Sequence, residues 1–551
     1  MARAILGARL AGAGILAAGG TGTVAVSWVQ QELGEDALSR TLSFYKVALP
    51  ALIEYKSLEW RNLPEKESNE RFDELHIKWA PRFRDKYLEL RGFYLKQGQA
   101  IATNISDLAP KIWQDTMEPL LDRVPPVAFS RIEQIIDDEI GLAQFDYIEK
   151  EPLGSASIGQ VHRAIWRSPI DGEKKSCVIK IMYPEVEKSF RADVYAVKRI
   201  CKEMFPQYYI AFEEIEKQFQ SEFDYTQEAA NALTIRNNLL ASSYRNDFIV
   251  PQVYKATKRI LIMEEIQNSI QLTQSLRDAA RAEVSRRGLS DVNALLKLEE
   301  KREIDAAASG KVLQNSIFSR WLSSLLARIF GTFPIEPNRL IDRLLLVHGH
   351  QILIDGCFSS DPHPGNLLLS RDSNKIALID FGQAKKLDKS TRIQLAKLVL
   401  LVDAAIKTDP RTSAKNNNSA ISSKHRIARQ AVAQAMTQAG FRTKTNDVDC
   451  LYELASVYFG RDDRVWIWPR NFQQWTEYME SRDPVVDLAD CEHFVMVVRC
   501  GMLIRGLGHL LHEHRNLASV WTPIATQVLR NEGQLEDLQD QLREFSVCNS
   551  C

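Results

Sequence analysis

Two carboxylates and a carboxamide stand near one another in Asp361-Pro-His-Pro-Gly-Asn366 and Asp380-Phe381-Gly382. Asp361 precedes Asn366 by five residues, and Asp380 follows after two short apolar runs, Leu367–Leu369 and Ile376–Ile379. These runs read as a β-hairpin around Asp372–Asn374, with the acids at its open end. Mg²⁺ takes hard oxygen ligands and shares them with phosphates, so this set suits a magnesium–triphosphate. In that reading Asn366 and Asp380 hold the metal, and Asp361 is a base or a water-orienting group.

A second set lies upstream. Gly154-Ser155-Ala156-Ser157-Ile158-Gly159 has the frame of a phosphate-binding glycine-rich loop, with Ala156 where a middle Gly would stand. Small residues let backbone N–H groups approach phosphate, and the added methyl stiffens the loop. Val178-Ile179-Lys180 ends a β-like run, the place for a Lys that touches phosphates. Glu228 is its candidate partner. The backbone from Met263 to Ile266, including Glu264, is placed against adenine only by following the last strand of this region. Each motif alone is weak. Their order on suitable elements makes ATP and Mg²⁺ the expected cofactors.

The chain has 551 residues, 70 Lys plus Arg and 71 Asp plus Glu, for a net charge of −1. That balance argues against nucleic-acid binding by bulk electrostatics. Hydrophobic content of 45% with 26% charged residues is globular. Apolar spacing predicts helices over Leu38–Leu58, Ile77–Leu95 and Phe129–Ile140. Gln160–Trp166 and Cys177–Met182 read as strands joined by Asp171-Gly172. Residues 186–242 read as helix, Phe248–Tyr254 and Arg259–Glu264 as strands, and 271–335 as mainly helical and polar. Asn338–Gly356 reads as a helix capped by Asn338. Residues 391–547 are helical, broken at Asp409–Lys424.

The first acidic residue is Glu32, after an uncharged run from Leu10 to Val29. An Arg-bearing, acid-free start reads as an organelle transit sequence, with or without a membrane anchor. A secretory signal and a plain Ala-rich leader are the other readings. Eight Cys are too sparse for a disulfide framework. Cys548-Asn549-Ser550-Cys551 reads as a frayed tail with two incidental thiols. Ile317, Phe318, Trp321, Leu322, Leu325, Ile329 and Phe330 fall at helical spacing, which suits core packing or docking to a membrane or partner.

After Gly382 there is little room before a helix near Ser390, and no Ala-Pro-Glu follows. A protein kinase orders that segment to admit a peptide. Its absence points to a small-molecule acceptor or to ATP hydrolysis, and makes a peptide kinase the weakest reading.

With Lys96-Gln-Gly98-Gln99, Ser157-Ile-Gly-Gln-Val-His162, Glu222-x-Asp224, Asp361-Pro-His-Pro-Gly-Asn366 and Asp380-Phe-Gly in this order, residues 85–400 resemble the UbiB family of atypical kinase-like proteins, the aarF-domain kinases. A weaker match surrounds Arg499–Gly508. The resemblance implies an α+β, two-lobed kinase-like fold with helical additions. It implies 1–35 as transit sequence or anchor, 36–150 as a helical extension, 151–270 as N-lobe and 271–337 as a helical insert. Residues 338–400 would be the catalytic C-lobe and 401–551 a helical C-terminal region. Lys96 and Gln99 would fold over the site toward Glu222 and Asp224, as regulators. The family further implies a mitochondrial (inner-membrane), plastid or bacterial-membrane setting. The work would be in isoprenoid-quinone (ubiquinone) or other lipid metabolism, with membrane or isoprenoid lipids and lipid-biosynthesis proteins as partners. The family usually carries His where this chain has Ser359. An ATP-gated pseudokinase scaffold is the alternative to an enzyme.

Overall fold

The computed structural model describes residues 35–61, 63–103, 110–121, 124–170, 172–204, 223–312, 337–373, 375–412, 423–487, 492–511 and 513–545. The leader, Glu222, the apolar run Ile317–Phe330 and the Cys548–Cys551 tail lie outside them. Two compact units result. One holds the described residues up to Ala229 together with Val253–Glu265. The other holds Ala230–Gln252 and the described residues from Ile266 onward.

The first unit begins with helix Glu35–Glu59, whose Ala48, Ala51, Leu52, Tyr55 and Leu58 are buried at three- and four-residue steps. Helix Glu65–Leu90 packs against it through Trp79, Ala80, Phe83, Tyr87 and Leu90. The helix expected over Ile77–Leu95 is broken. Arg91 has φ +53° and Gly92 φ +51°, and a new helix runs from Gly92 to Thr103. Phe93, Tyr94 and Leu95 are all buried in the first turn of the new helix, while Ile77 stays exposed. Helix Phe129–Ile140 buries Ile132, Ile135 and Ile136 and stops at Gly141, φ +84°.

The same unit carries an antiparallel sheet. Its strand order is Phe145–Ile148, Gly159–Arg167, Lys174–Met182, Ile260–Glu264 and Val253–Ala256, with the short Gly154–Ser155 also paired to Gly159–Arg167. In the central strand Cys177, Ile179 and Ile181 are fully buried on one face, so Lys180 between them takes the other. Helix Pro184–Met204 follows, and the first turn of helix Tyr225–Ala241, up to Ala229, also belongs to this unit.

In the second unit, strand Leu367–Ser370 pairs antiparallel with Ile376–Leu378, Leu367 opposite Leu378. Ser269–Gln271 and Phe248–Ile249 flank this hairpin. Cys357–Ser359 pairs with Ala384–Lys386. Helix Lys389–Thr408 buries Leu395, Leu398, Val399 and Val402, against helices Leu517–Asn531 and Ser423–Gln438. The helix expected from an Asn338 cap starts one residue earlier, at Pro337, whose fixed φ and missing N–H suit a first helical position. It gives way after His350 to a π-helical turn, Gln351–Asp355, closed by left-handed Gly356. The C-terminal region is not wholly helical. Arg442–Thr443 pairs with Val485–Asp487, braced by the Asp483 carboxylate, which accepts from Thr443 Oγ1, Thr445 N and Asp447 N.

Candidate functional site

In the first unit the glycine-rich segment is a tight hairpin. Gly154 sits opposite Val161 and Ser155 opposite Gln160, and Ala156 N–H donates to Gly159 O at 2.8 Å. Ser157 is buried. Gly159 has no alternative. A Cβ there would lie 2.1 Å from the backbone oxygen of Ile181, whereas one on Gly154 would meet nothing within 4 Å.

The next residues brace that hairpin. Gln160 Oε1 accepts from Val127 N–H and from the Tyr183 hydroxyl, each at 2.7 Å. Gln160 Nε2 lies 2.9 Å from His162 Nε2, and His162 Nδ1 lies 2.7 Å from Glu149 O. This pattern assigns a neutral His162 that donates from Nδ1. Burial holds its pKa below the ordinary range. Gln160 and His162 stand within the motif Ser157–His162, whose spacing alone assigns them no role. A buried Gln and His two residues apart on one strand face was the available signal.

Lys180 lies between Val161 and Leu261 across the sheet. Its Nζ is 2.5 Å from Glu228 Oε1, with side-chain exposures of 15% and 5%. Asp224 caps helix Tyr225–Ala241, its Oδ1 accepting from Thr226 N–H at 2.9 Å and from the Thr226 hydroxyl at 2.6 Å. Lys96 is half-buried on helix Gly92–Thr103. In the same motif Gln99 Nε2 donates to Leu120 O at 2.9 Å, and Gly98 admits Leu120 and Tyr87 to distances that a Cβ would forbid. Glu264 ends the strand Ile260–Glu264.

In the second unit Asn366 joins Ile379, the residue before Asp380, at the open end of the hairpin. Ile379 N–H donates to Asn366 O at 3.2 Å. Asn366 Nδ2 donates to Asp361 O at 3.2 Å, which turns its nitrogen inward and leaves its oxygen as the group a hard cation would take. Asp380 Oδ1 accepts from Gly382 N–H at 3.0 Å. The Asp380 carboxylate and the Asn366 amide oxygen are hard donors of the kind Mg²⁺ takes, with its remaining positions open to water and phosphate. His363 Nδ1 accepts from Gly365 N–H at 3.0 Å and so fixes the turn between Asp361 and Asn366. Burial holds the His363 imidazole below its ordinary pKa, against the opposing pull of Asp361. Gln271 Nε2 adds a bond to Gly365 O at 2.6 Å. Ile266 O accepts from the Ser269 hydroxyl at 2.6 Å.

Further side chains hold this end of the hairpin in place. Ser359 Oγ donates to Asp380 O at 3.3 Å, and Ser360 Oγ to Gln383 O at 2.6 Å. Asn231 Nδ2 donates to Phe381 O at 3.1 Å. Arg499 Nη2 lies 3.6 Å from Asp361 Oδ2, from a helix that begins 131 residues later in the chain. Ser359 and the segment from Arg499 stand out in the sequence, but their partners are distant along the chain and local sequence does not show the pairings.

Residues 119–299 and 328–416 match the ABC1 atypical kinase-like domain. AarF domain-containing protein kinase 1 of Gallus gallus is 27% identical over 382 residues, 66% of this chain and 61% of that protein. The Xenopus laevis protein of the same name is 26% identical, over 61% of this chain and 55% of its own length. The matched segment thus spans little more than half of these two relatives. The solved complex of Rv3197 with erythromycin from Mycobacterium tuberculosis is 19% identical with a TM-score of 0.41, covering 82% of this chain and 97% of that one. On the domain match, with these relatives beside it, the chain belongs to the ABC1/UbiB family of atypical kinase-like proteins.

Proposed function

We propose that this protein is an ATP- and Mg²⁺-dependent atypical kinase or ATPase. The observation that carries the reading is the junction at Asn366, Ile379 and Asp380. It sets the Asn366 amide oxygen and the Asp380 carboxylate on neighbouring backbone, with the Asn366 amide nitrogen also donating to the backbone carbonyl of Asp361. Bound there, Mg²⁺ would supply charge neutralisation for phosphate oxygens. Asn366 and Asp380 would hold the ion, and Asp361 would orient an attacking hydroxyl or water. In the other unit Lys180, fixed by Glu228, would meet phosphates along with backbone N–H groups between Gly154 and Gly159. The backbone from Glu264 to Ile266 would take adenine. Lys96 and Gln99, with Glu222 and Asp224, would regulate access.

A small-molecule acceptor, or water, is favoured over a peptide. Only six residues separate Gly382 from helix Lys389–Thr408, and three of them form the strand Ala384–Lys386 paired to Cys357–Ser359. The place of work in this reading is an organelle membrane, mitochondrial or plastid, and the service is to isoprenoid-quinone or other lipid metabolism. Support comes from the acid-free leader and from Arabidopsis thaliana relatives whose names carry "chloroplastic".

The test is nucleotide binding and hydrolysis by the full chain, with and without vesicles. Asp380→Asn should lower Mg²⁺-dependent turnover by about 100-fold or more while nucleotide still binds. Turnover equal in wild type and Asp380→Asn would sink the enzymatic reading. ATP binding with no turnover in either would favour a nucleotide-gated scaffold.

A further inference from the structure

Away from the phosphate-handling residues, Glu303, His509 and His514 each bring one ligand atom within 4.8 Å of the others. They come from three elements of the second unit. Glu303 is on helix Val292–Ala308, and His509 is in the last turn of helix Glu492–Leu511. His514 is in the short connector before helix Leu517–Asn531. Gly508 makes the juxtaposition. Its carbonyl accepts from Glu513 N–H at 2.8 Å, and a Cβ on it would lie 2.8 Å from Glu513 O. The chain therefore reverses tightly, and the two imidazoles meet edge to face with centroids 4.7 Å apart.

The spacing suits atoms arranged around a common centre. His514 Nε2 lies 3.8 Å from Glu303 Oε1, too long for a hydrogen bond. Ligands at the usual zinc distances in a tetrahedron stand about 3.3 Å from one another, so a small inward movement completes the geometry. Asp462, almost wholly buried, puts Oδ1 3.2 Å from His509 Nε2 and Oδ2 3.5 Å from Arg505 Nε. A carboxylate against a ligand histidine is the common outer support of a metal centre. The cluster is also accessible. The side chains of His514 and Asp462 are 8% and 4% exposed, but those of Glu303 and His509 are 24% and 35% exposed. That open flank gives an entry path and room for a water ligand.

We propose that Glu303, His509 and His514, supported by Asp462, bind a divalent cation of the zinc class. Two imidazoles and one carboxylate suit a borderline first-row ion better than Mg²⁺, which prefers oxygen alone. The ion would tie helix Val292–Ala308 to the C-terminal helices and so stabilise the second unit. This site is independent of the nucleotide reading.

The experiment uses the full chain, stripped with a chelator and titrated with zinc against a chromophoric competitor. One equivalent should bind, and zinc should raise the unfolding temperature. Cobalt in its place should give visible d–d absorption. Asp462→Asn should weaken zinc by about 10–100-fold, and His509→Gln with His514→Gln should weaken it further. No binding at micromolar zinc overturns the proposal. So does an isotherm unchanged in the double variant, as zinc held by Cys548 and Cys551 would give. Should the double variant fail to fold by circular dichroism, Glu303→Gln alone decides, because that partly exposed residue can change without opening the core. Unchanged affinity there also overturns the proposal.

Discussion

The hydroxyl of Ser359 donates to the backbone carbonyl of Asp380 at 3.3 Å. It joins strand Cys357–Ser359 to the turn that opens Asp-Phe-Gly. Ser359 thus braces Asp380 through its backbone. Ser359→Ala removes one neutral hydrogen bond, a loss of about 1 kcal/mol. Turnover of Mg²⁺-ATP should fall about fivefold in steady-state assays, far less than for Asp380→Asn. A loss as large as that of Asp380→Asn would mean that Ser359 acts directly in the chemistry.

The Lys180–Glu228 pair is almost withdrawn from water. Glu228→Gln removes the charge that faces Lys180 and should cost about 3 kcal/mol of stability, read as a lower urea midpoint. Lys180→Met combined with Glu228→Gln should recover most of that loss, since no buried charge remains. Additive destabilisation in the double variant would contradict the account.

Two glycines of one loop should behave differently. Gly159→Ala forces a Cβ to 2.1 Å from Ile181 O, so the hairpin must move. Soluble yield should drop, or stability fall by about 2 kcal/mol or more. Gly154→Ala meets open space and should change stability by less than about 0.5 kcal/mol. Its effect should fall on nucleotide affinity instead, if the backbone there approaches phosphate.

His348 is fully buried, its Nδ1 2.8 Å from Leu344 O, and burial pushes its pKa down to about 4. The unfolded chain binds this proton near pH 6.5 and the folded chain does not, so stability falls as pH drops from about 6.5 toward 4. The loss is about 3 kcal/mol when complete. Denaturation midpoints measured across that window should show it, and His348→Leu should flatten the slope. An unchanged slope in His348→Leu would assign the acid sensitivity to other groups, such as His363.

The sequence alone determined the order and spacing of Lys180, Asp361, Asn366 and Asp380, and most strands and helices around them. Those features are local. Alternation places Ile179 and Ile181 on one face and Lys180 on the other, and three- and four-residue spacing marks the helix that buries Ile132, Ile135 and Ile136. Tertiary structure decided the partners. Period does not specify which carboxylate meets Lys180, that Arg499 faces Asp361, or that His509 and His514 meet Glu303. It also decided the break at Arg91, where positive φ at Arg91 and Gly92 ends one helix before the next begins. Long-range pairing depends on how packed elements fill space, and a linear pattern does not carry that information.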